Sequence, residues 1–262
     1  MVKRMLALYP EMQFHVWNLA RNEDDAEWVK DCDDNHPRIT VLNQFYGDGE
    51  PWSHFNDVYR HYANPEFRDT IFLKLDDDDV FIEADRIPEF VAMVRERPDR
   101  IISAQVVNNG ASTMTHPGLV EEWKALRIPL LNVHLKPSYA EACHEYFFDN
   151  WMRMVDQPIK LIDTKDWLSI NAIGYGWDMG CQIAGLLDTR PPRHIAGRLF
   201  NPHRHHVGDE GAVNMLPRAI MQGFTVCHLY FGPQAKQMTD ERLTQLRKAY
   251  AVIGQEYLDG QR

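Results

Sequence analysis

The sequence predicts an α/β fold with a mostly parallel central sheet and helices on both faces. Two observations carry this prediction: short apolar segments alternate with helical patterns through the first 110 residues, and each helical pattern is long enough to make a crossover. A third is that the best-defined apolar segment, Thr70 to Leu75, runs straight into four aspartates, Asp76-Asp77-Asp78-Asp79. In open α/β sheets, ligands gather at the carboxyl ends of strands.

The elements are read in order. Val2 to Tyr9 has helical character. Gln13 to Leu19 alternates and is aromatic, which marks a strand. Asn22 is placed to cap a helix through Trp28 and Val29, with Asp24 and Asp25 in its first turn. Arg38 to Phe45 is a second strand, and Trp52, Phe55, Val58, Tyr59 and Tyr62 recur at helical spacing. Thr70 to Leu75 is the third strand. Asp85 opens a helix through Phe90, Val91 and Val94 that Pro98 stops, and Ile101 to Val107 is the fourth strand. The chain opens in a helix where a doubly wound sheet opens in a strand. The first strand of the pattern is therefore missing, or it lies ahead of residue 1.

Beyond residue 110 the rhythm changes. Ala111 to Pro137, with prolines at 117, 129 and 137, reads as loop-rich. Ser138 and Glu141 have capping-box spacing for a helix through Trp151 and Val155. Trp167 to Tyr175 reads as a strand, Asp209 to Gln222 as a helix carrying a disruptive Pro217 and ended by Gly223, and Phe224 to Phe231 as a strand. Thr239 to Leu258 reads as a final helix. At 262 residues, one domain is expected, with residues 1–110 and 111–262 as its two halves.

Composition narrows the function. Apolar residues at 44% and charged residues at 25% indicate a globular chain rather than a disordered one. No apolar run approaches the roughly 20 residues of a membrane helix, and the basic N-terminus lacks the apolar stretch of a secretion signal, so a cytoplasmic protein is expected. Cys32, Cys143, Cys181 and Cys227 are far apart and form no CxxC pair, so neither a zinc site nor a disulfide framework is expected, and buried thiols are. A net charge of −10 argues against broad capture of nucleic acid. Local basic stretches at 190–194 and 198–206 leave a nucleic-acid acceptor open.

Adjacent carboxylates repel: two of them about 5 Å apart cost about 3 kcal/mol at an effective dielectric near 20. The run is therefore either a turn pointing into water or a cation site. An EF-hand is disfavoured, because the glycine at the sixth loop position and the closing glutamate are missing.

Lys74-Leu75-Asp76-Asp77-Asp78-Asp79-Val80-Phe81-Ile82 resembles the DxD signature of GT-A fold glycosyltransferases. The resemblance covers about residues 10 to 110 well and the remainder loosely. It implies a GT-A-like fold and transfer of a sugar from a nucleotide-sugar, with a UDP-sugar the leading donor, to a hydroxyl acceptor on a glycan, a protein or a modified nucleobase. It also implies Mn²⁺ or Mg²⁺ on Asp76 and Asp78, bridging the donor diphosphate, with Asp77 near the ribose. A one-residue shift to Asp77 and Asp79 stays open. Lys74 falls inside the motif and joins the donor-contacting set, together with Asn18 and Arg21, which follow the first strand.

The same resemblance directs attention to three later stretches. In Gly174-Tyr175-Gly176-Trp177-Asp178-Met179-Gly180, the rings of Tyr175 and Trp177 and the carboxylate of Asp178 suit a sugar, although a turn with core aromatics fits equally. Asp209 and Glu210 form the acidic pair expected near an acceptor, Asp209 as general base and Glu210 as its rival; a plain helix cap is the alternative. His228 is the expected third metal ligand, with His205 and His206 as rivals. Lys236 is a candidate phosphate partner or a surface residue.

Two other classes remain. Phe72 to Val80 also fits the D-x-D pattern of haloacid-dehalogenase phosphatases, with Asp76 as nucleophile, Asp78 as acid and Asp209 in a later Mg²⁺ motif. A non-catalytic, metal-dependent carbohydrate-binding module is the third reading.

Overall fold

The computed structural model describes residues 2–20, 22–33, 35–46 and 54–260. Arg21 and Trp52, singled out in the sequence, lie outside the described residues.

Helix α1 (Val2–Leu8) leads into β1 (Phe14–Trp17), α2 (Glu23–Lys30), β2 (Ile39–Leu42) and α3 (Phe55–Tyr62). Asn22 caps α2 as expected, its side chain accepting the Asp25 N–H at 2.8 Å. Then come β3 (Ile71–Leu75), β4 (Asp79–Ile82), α4 (Ile87–Glu96), β5 (Ile101–Val107), α5 (Gly110–Thr113), α6 (Pro117–Leu126) and α7 (Pro137–Met154). The remainder is β6 (Lys160–Asp163), β7 (Ala172–Gly176), α8 (Trp177–Leu186), β8 (His194–Ile195), β9 (Arg198–Leu199), α9 (Asp209–Met215), β10 (Arg218–His228), α10 (Gly232–Ala235) and α11 (Asp240–Leu258).

The central sheet is six-stranded in the order β3-β7-β5-β10-β4, with β6 also paired to β10. It is mixed, which corrects the mostly parallel sheet expected. Strands β5 and β10 pair in parallel, while β7 is antiparallel to both β3 and β5, and β4 and β6 are antiparallel to β10. The acidic run explains one reversal. Only residues 76–78 separate β3 from β4, too few for a crossover helix, so β4 runs back. Strands β1 and β2 pair in parallel with each other as a separate two-stranded sheet. The two halves of the chain interleave, since β7 and β10 pair with strands of the first 110 residues.

Helices cover both faces. On one, α1 and α4 bury Met5, Ile87, Phe90 and Val94 against Ile102, Ala104 and Val106 of β5. On the other, α3, α8 and α9 enclose Tyr59, Tyr175, Ile183 and Val213, while α7 and α11 pack Phe147, Trp151, Leu246 and Tyr250 around Phe81 and Val107. Burying side chains of this size stabilises by about 1.5–3 kcal/mol each.

Four further differences have local causes. Residues 111–137 are largely helical, because Pro117 and Pro137 sit at first-turn positions where a missing N–H costs nothing. Ser138 does not cap α7; Lys136 holds that position and makes no side-chain cap bond. Of Trp167–Tyr175 only the end from Ala172 is strand. Ahead of it, Asn214 takes the place of a neighbouring strand, accepting the Leu168 N–H at 2.8 Å and donating to the Leu168 carbonyl at 2.7 Å. Helix α9 stops at Met215, since Pro217 cannot continue it, and β10 begins at Arg218. Gly223 therefore ends no helix. It sits inside β10 at φ +84°, where the register shifts, and a Cβ there would stand 2.6 Å from the Gln157 carbonyl oxygen.

Among the described residues no helix is long and apolar enough to cross a membrane. All four cysteines are free; Cys143 and Cys227 are buried as expected, whereas Cys32 and Cys181 are only half-buried.

Candidate metal centre and its surroundings

The parallel-running strands β3, β5 and β10 end on one rim, and the sequence places polar residues at each end. Asp76 follows β3, Asn108 and Asn109 follow β5, and β10 closes on His228. The antiparallel strand β4 starts at the same rim with Asp79, and Leu229 N–H donates to the Asp78 carbonyl at 2.9 Å. This bond draws the acidic turn against the end of β10.

Asp76, Asp78 and His228 consequently converge, their ligand atoms all within 4.8 Å of one another. His228 Nε2 lies 3.2 Å from Asp78 Oδ1, and the histidine side chain is only 4% exposed. Two carboxylate oxygens and one imidazole nitrogen form a donor set that could hold a divalent cation. Two buried atoms of neighbouring residues, His228 Nδ1 and Asp79 Oδ1, have no hydrogen-bond partner among the described residues. Buried polar atoms are normally paired, so these two are exceptions.

The four aspartates divide their work. Asp76 accepts from Lys74 Nζ and from Asn171 Nδ2, the latter at 2.9 Å. Asp77 points to solvent. Asp79 turns inward, and its Oδ2 accepts the Asp76 N–H at 3.1 Å, closing the turn. Burial first, then the Asp76 carboxylate, pushes the Asp79 carboxyl well above its ordinary range. The geometry joins Asp76 and Asp78 with His228 and gives Asp79 a turn-closing role, so the shifted Asp77–Asp79 pair is not the one brought together.

Lys74 also donates to the Ile170 carbonyl at 2.8 Å, and Asn109 Nδ2 donates to Asn171 Oδ1 at 3.0 Å. Asp76 is therefore held by a relay, Asn109 to Asn171 to Asp76, with a cation beside it.

Asp209 and Glu210 open α9 on the side of the site facing α3. Burial raises the Asp209 carboxyl, against the pull of Lys74. Burial likewise raises Glu210, whose Oε1 accepts the Trp167 indole N–H at 2.9 Å, with Arg198 opposing the shift. The cap residue of α9 is Gly208, and Asp209 Oδ1 instead accepts the N–H of Glu210 at 2.7 Å.

Several expected residues stand elsewhere. Tyr175 is buried between Phe72 and Tyr59 and is a core residue. The register pairs Ile71 with Gly176 and Leu75 with Ala172, so Trp177 and Asp178 lie at the opposite end of β3 from Asp76. At about 3.3 Å per residue, the length of β3 separates them from the site. Trp177 donates to the Asn64 carbonyl at 2.9 Å and stacks on Arg68. Asn18 is fully buried and donates to Asn43 Oδ1 at 2.8 Å, which makes it a structural tie between β1 and β2 rather than a free donor contact. His205 and His206 are exposed, bonding to Asn201 N–H and the Asp188 carbonyl, and Lys236 is exposed beyond α10.

Sequence reasoning missed Asn109, Asn171, Trp167, Arg198 and Tyr59. The last, on α3, has a buried hydroxyl without a hydrogen-bond partner among the described residues. The Asn108-Asn109 pair directly after a buried strand was the available signal.

No family model, curated protein or solved structure matches the chain.

Proposed function

We propose that the protein is a metal-dependent glycosyltransferase that moves a sugar from a nucleotide-sugar to a hydroxyl acceptor. The observation carrying this reading is the convergence of Asp76, Asp78 and His228 at the carboxyl-end rim of the sheet. Asp76 and Asp78 are the alternate carboxylates of the D-x-D pattern, and His228 arrives from a strand nearly 150 residues later.

A divalent cation held by these three residues would neutralise charge developing on the departing nucleoside diphosphate. Lys74 supplies a second positive charge beside Asp76. Asn171 and Asn109 fix the Asp76 carboxylate so that it does not reorganise when substrate arrives. Asp209 and Glu210 stand where burial raises carboxyl basicity, as a general base requires. We assign proton removal from the acceptor hydroxyl to Asp209, which shares the field of Lys74 and Asp76. Glu210, tied to Trp167, orients the acceptor side.

The test is a panel of nucleotide-sugars with Mn²⁺, scored by nucleoside diphosphate release and by Mn²⁺ binding. The reading expects turnover of at least one UDP-sugar and loss of Mn²⁺ affinity in Asp78→Ala. Turnover of a simple phosphomonoester, abolished in Asp76→Asn, would instead establish the phosphatase reading. Glycan binding without donor consumption would establish the binding-module reading.

A further inference from the structure

Beside the triad lies a cavity of about 180 Å³, lined by the turn 130–134, by Asp166, Trp167 and Ser169, by the β8–β9 hairpin and by Phe231. It shares walls with the metal centre. Phe231 lines it and packs its ring 4.6 Å from the His228 ring. The segment running from Asp166 to Asn171 lines it at one end and bonds Lys74 and Asp76 at the other.

The hairpin delivers one cation into this cavity. Ala196 at φ 45° and Gly197 at φ 83° turn the chain so that Arg198 lies back over Trp167, its guanidinium 3.9 Å from the indole centroid. Its Nη2 approaches His134 Nδ1 at 3.3 Å. Among the described residues no carboxylate comes within ion-pair distance of it. The charge is partly desolvated, and burial lowers its pKa. The Glu210 carboxylate acts on it from beyond ion-pair distance, so a planar guanidinium stacked on an aromatic ring and facing a cavity keeps its two parallel N–H donors for a carboxylate. One face of Trp167 is covered by Arg198, and its ring also stacks with Phe200 at 5.9 Å, so a ligand ring has to lie against Phe231 and the apolar turn instead. The volume admits a single six-membered ring with its substituents.

We infer that this cavity binds a small hydroxylated ring carrying a carboxylate, with the carboxylate on Arg198. Its role as the acceptor pocket rests on the glycosyl-transfer reading above; the binding itself does not.

Titration calorimetry on the metal-free protein separates the two. The probes are 4-hydroxybenzoate and glucuronate, with neutral 4-hydroxybenzamide and glucose as controls, and phenyl phosphate as the alternative anion. At least one carboxylate should bind 1:1 and at least tenfold more tightly than its neutral counterpart. Arg198→Gln should erase that preference, and Arg198→Lys should restore part of it, with circular dichroism confirming that both variants are folded. Failure of both carboxylates to bind, equal affinity for neutral and charged probes, or a preference for phenyl phosphate would overturn the inference. Carboxylate binding by a protein that consumes no nucleotide-sugar would sustain this site and sink the glycosyl-transfer reading. Donor hydrolysis without carboxylate binding would do the reverse.

Discussion

Asn171 holds Asp76 twice: its backbone carbonyl accepts the Asp76 N–H at 2.9 Å, and its side-chain amide donates to Asp76 Oδ2 at 2.9 Å. The two bonds fix both the position and the rotamer of one of the three converging ligands. Removing the amide in Asn171→Ala should leave the fold intact, because the backbone bond persists. Mn²⁺ affinity should fall about 10- to 100-fold, the usual effect of losing an outer partner of a metal ligand. Unchanged affinity by calorimetry or electron paramagnetic resonance would remove Asn171 from the site.

Asp209→Asn should lower kcat by 100-fold or more with little change in Mn²⁺ binding, if Asp209 takes the acceptor proton. Burial raises the carboxyl, so the acid limb of kcat/KM should lie above the ordinary carboxylate range and vanish in the variant. A variant that retains the limb would pass the role to Glu210, whose carboxyl burial also raises.

Two buried groups oppose each other in the pH dependence of stability. His144 is fully buried, with Nε2 donating to the Leu229 carbonyl at 2.8 Å and Nδ1 accepting from the Tyr250 hydroxyl at 2.7 Å, so it folds neutral. Burial depresses its pKa to about 4. As pH falls from about 6.5 to 4 the unfolded chain takes up a proton that the folded one does not, costing about 3 kcal/mol. Glu83 is the reverse: burial raises its carboxyl to about 7, against N–H bonds from Asp156 and Thr225. Its cost of about 3 kcal/mol grows as pH rises from about 4.5 to 7. The two slopes offset each other in the native chain. His144→Gln should uncover the Glu83 slope, so that its urea midpoint, relative to wild type, rises as pH falls from 6.5 to 4.5. Parallel curves for the two proteins would refute this.

Gly223→Ala should destabilise by about 3 kcal/mol, combining a left-handed backbone with a Cβ pressed on the Gln157 carbonyl. Urea unfolding measures it, and a loss under about 1 kcal/mol would show that residues 157–159 yield instead.

Much of the site was legible because its parts are local. The Asp76–Asp79 run follows an apolar strand, and the D-x-D spacing singled out Asp76 and Asp78. His228 was expected only through the family resemblance, inside a segment read as strand to Phe231, and the structure ends that strand at His228. What escaped depended on pairing between distant segments. Trp167 to Ile170 looks like a strand by composition, but its backbone bonds go to side chains, Leu168 to Asn214, Ser169 to Asn109 and Ile170 to Lys74, which no periodicity reveals. Trp177 and Asp178 looked right by residue type, and only the antiparallel register of β3 and β7 sends them to the far end. The direction of β4 follows from the shortness of the link before it, a constraint visible in the sequence only once residues 76–78 are read as a turn rather than as part of a longer strand.

The triad straddles two kinds of support. His228 ends β10, which is paired on both sides, whereas Asp76 extends β3, which among the described residues pairs only with β7. Local opening draws on the least-paired segments first. On warming, the carboxylate wall should therefore loosen while the histidine wall still stands. Amide exchange would run faster along β3 than along β10, and capacity for the ion would fade reversibly at temperatures where the body of the molecule remains folded.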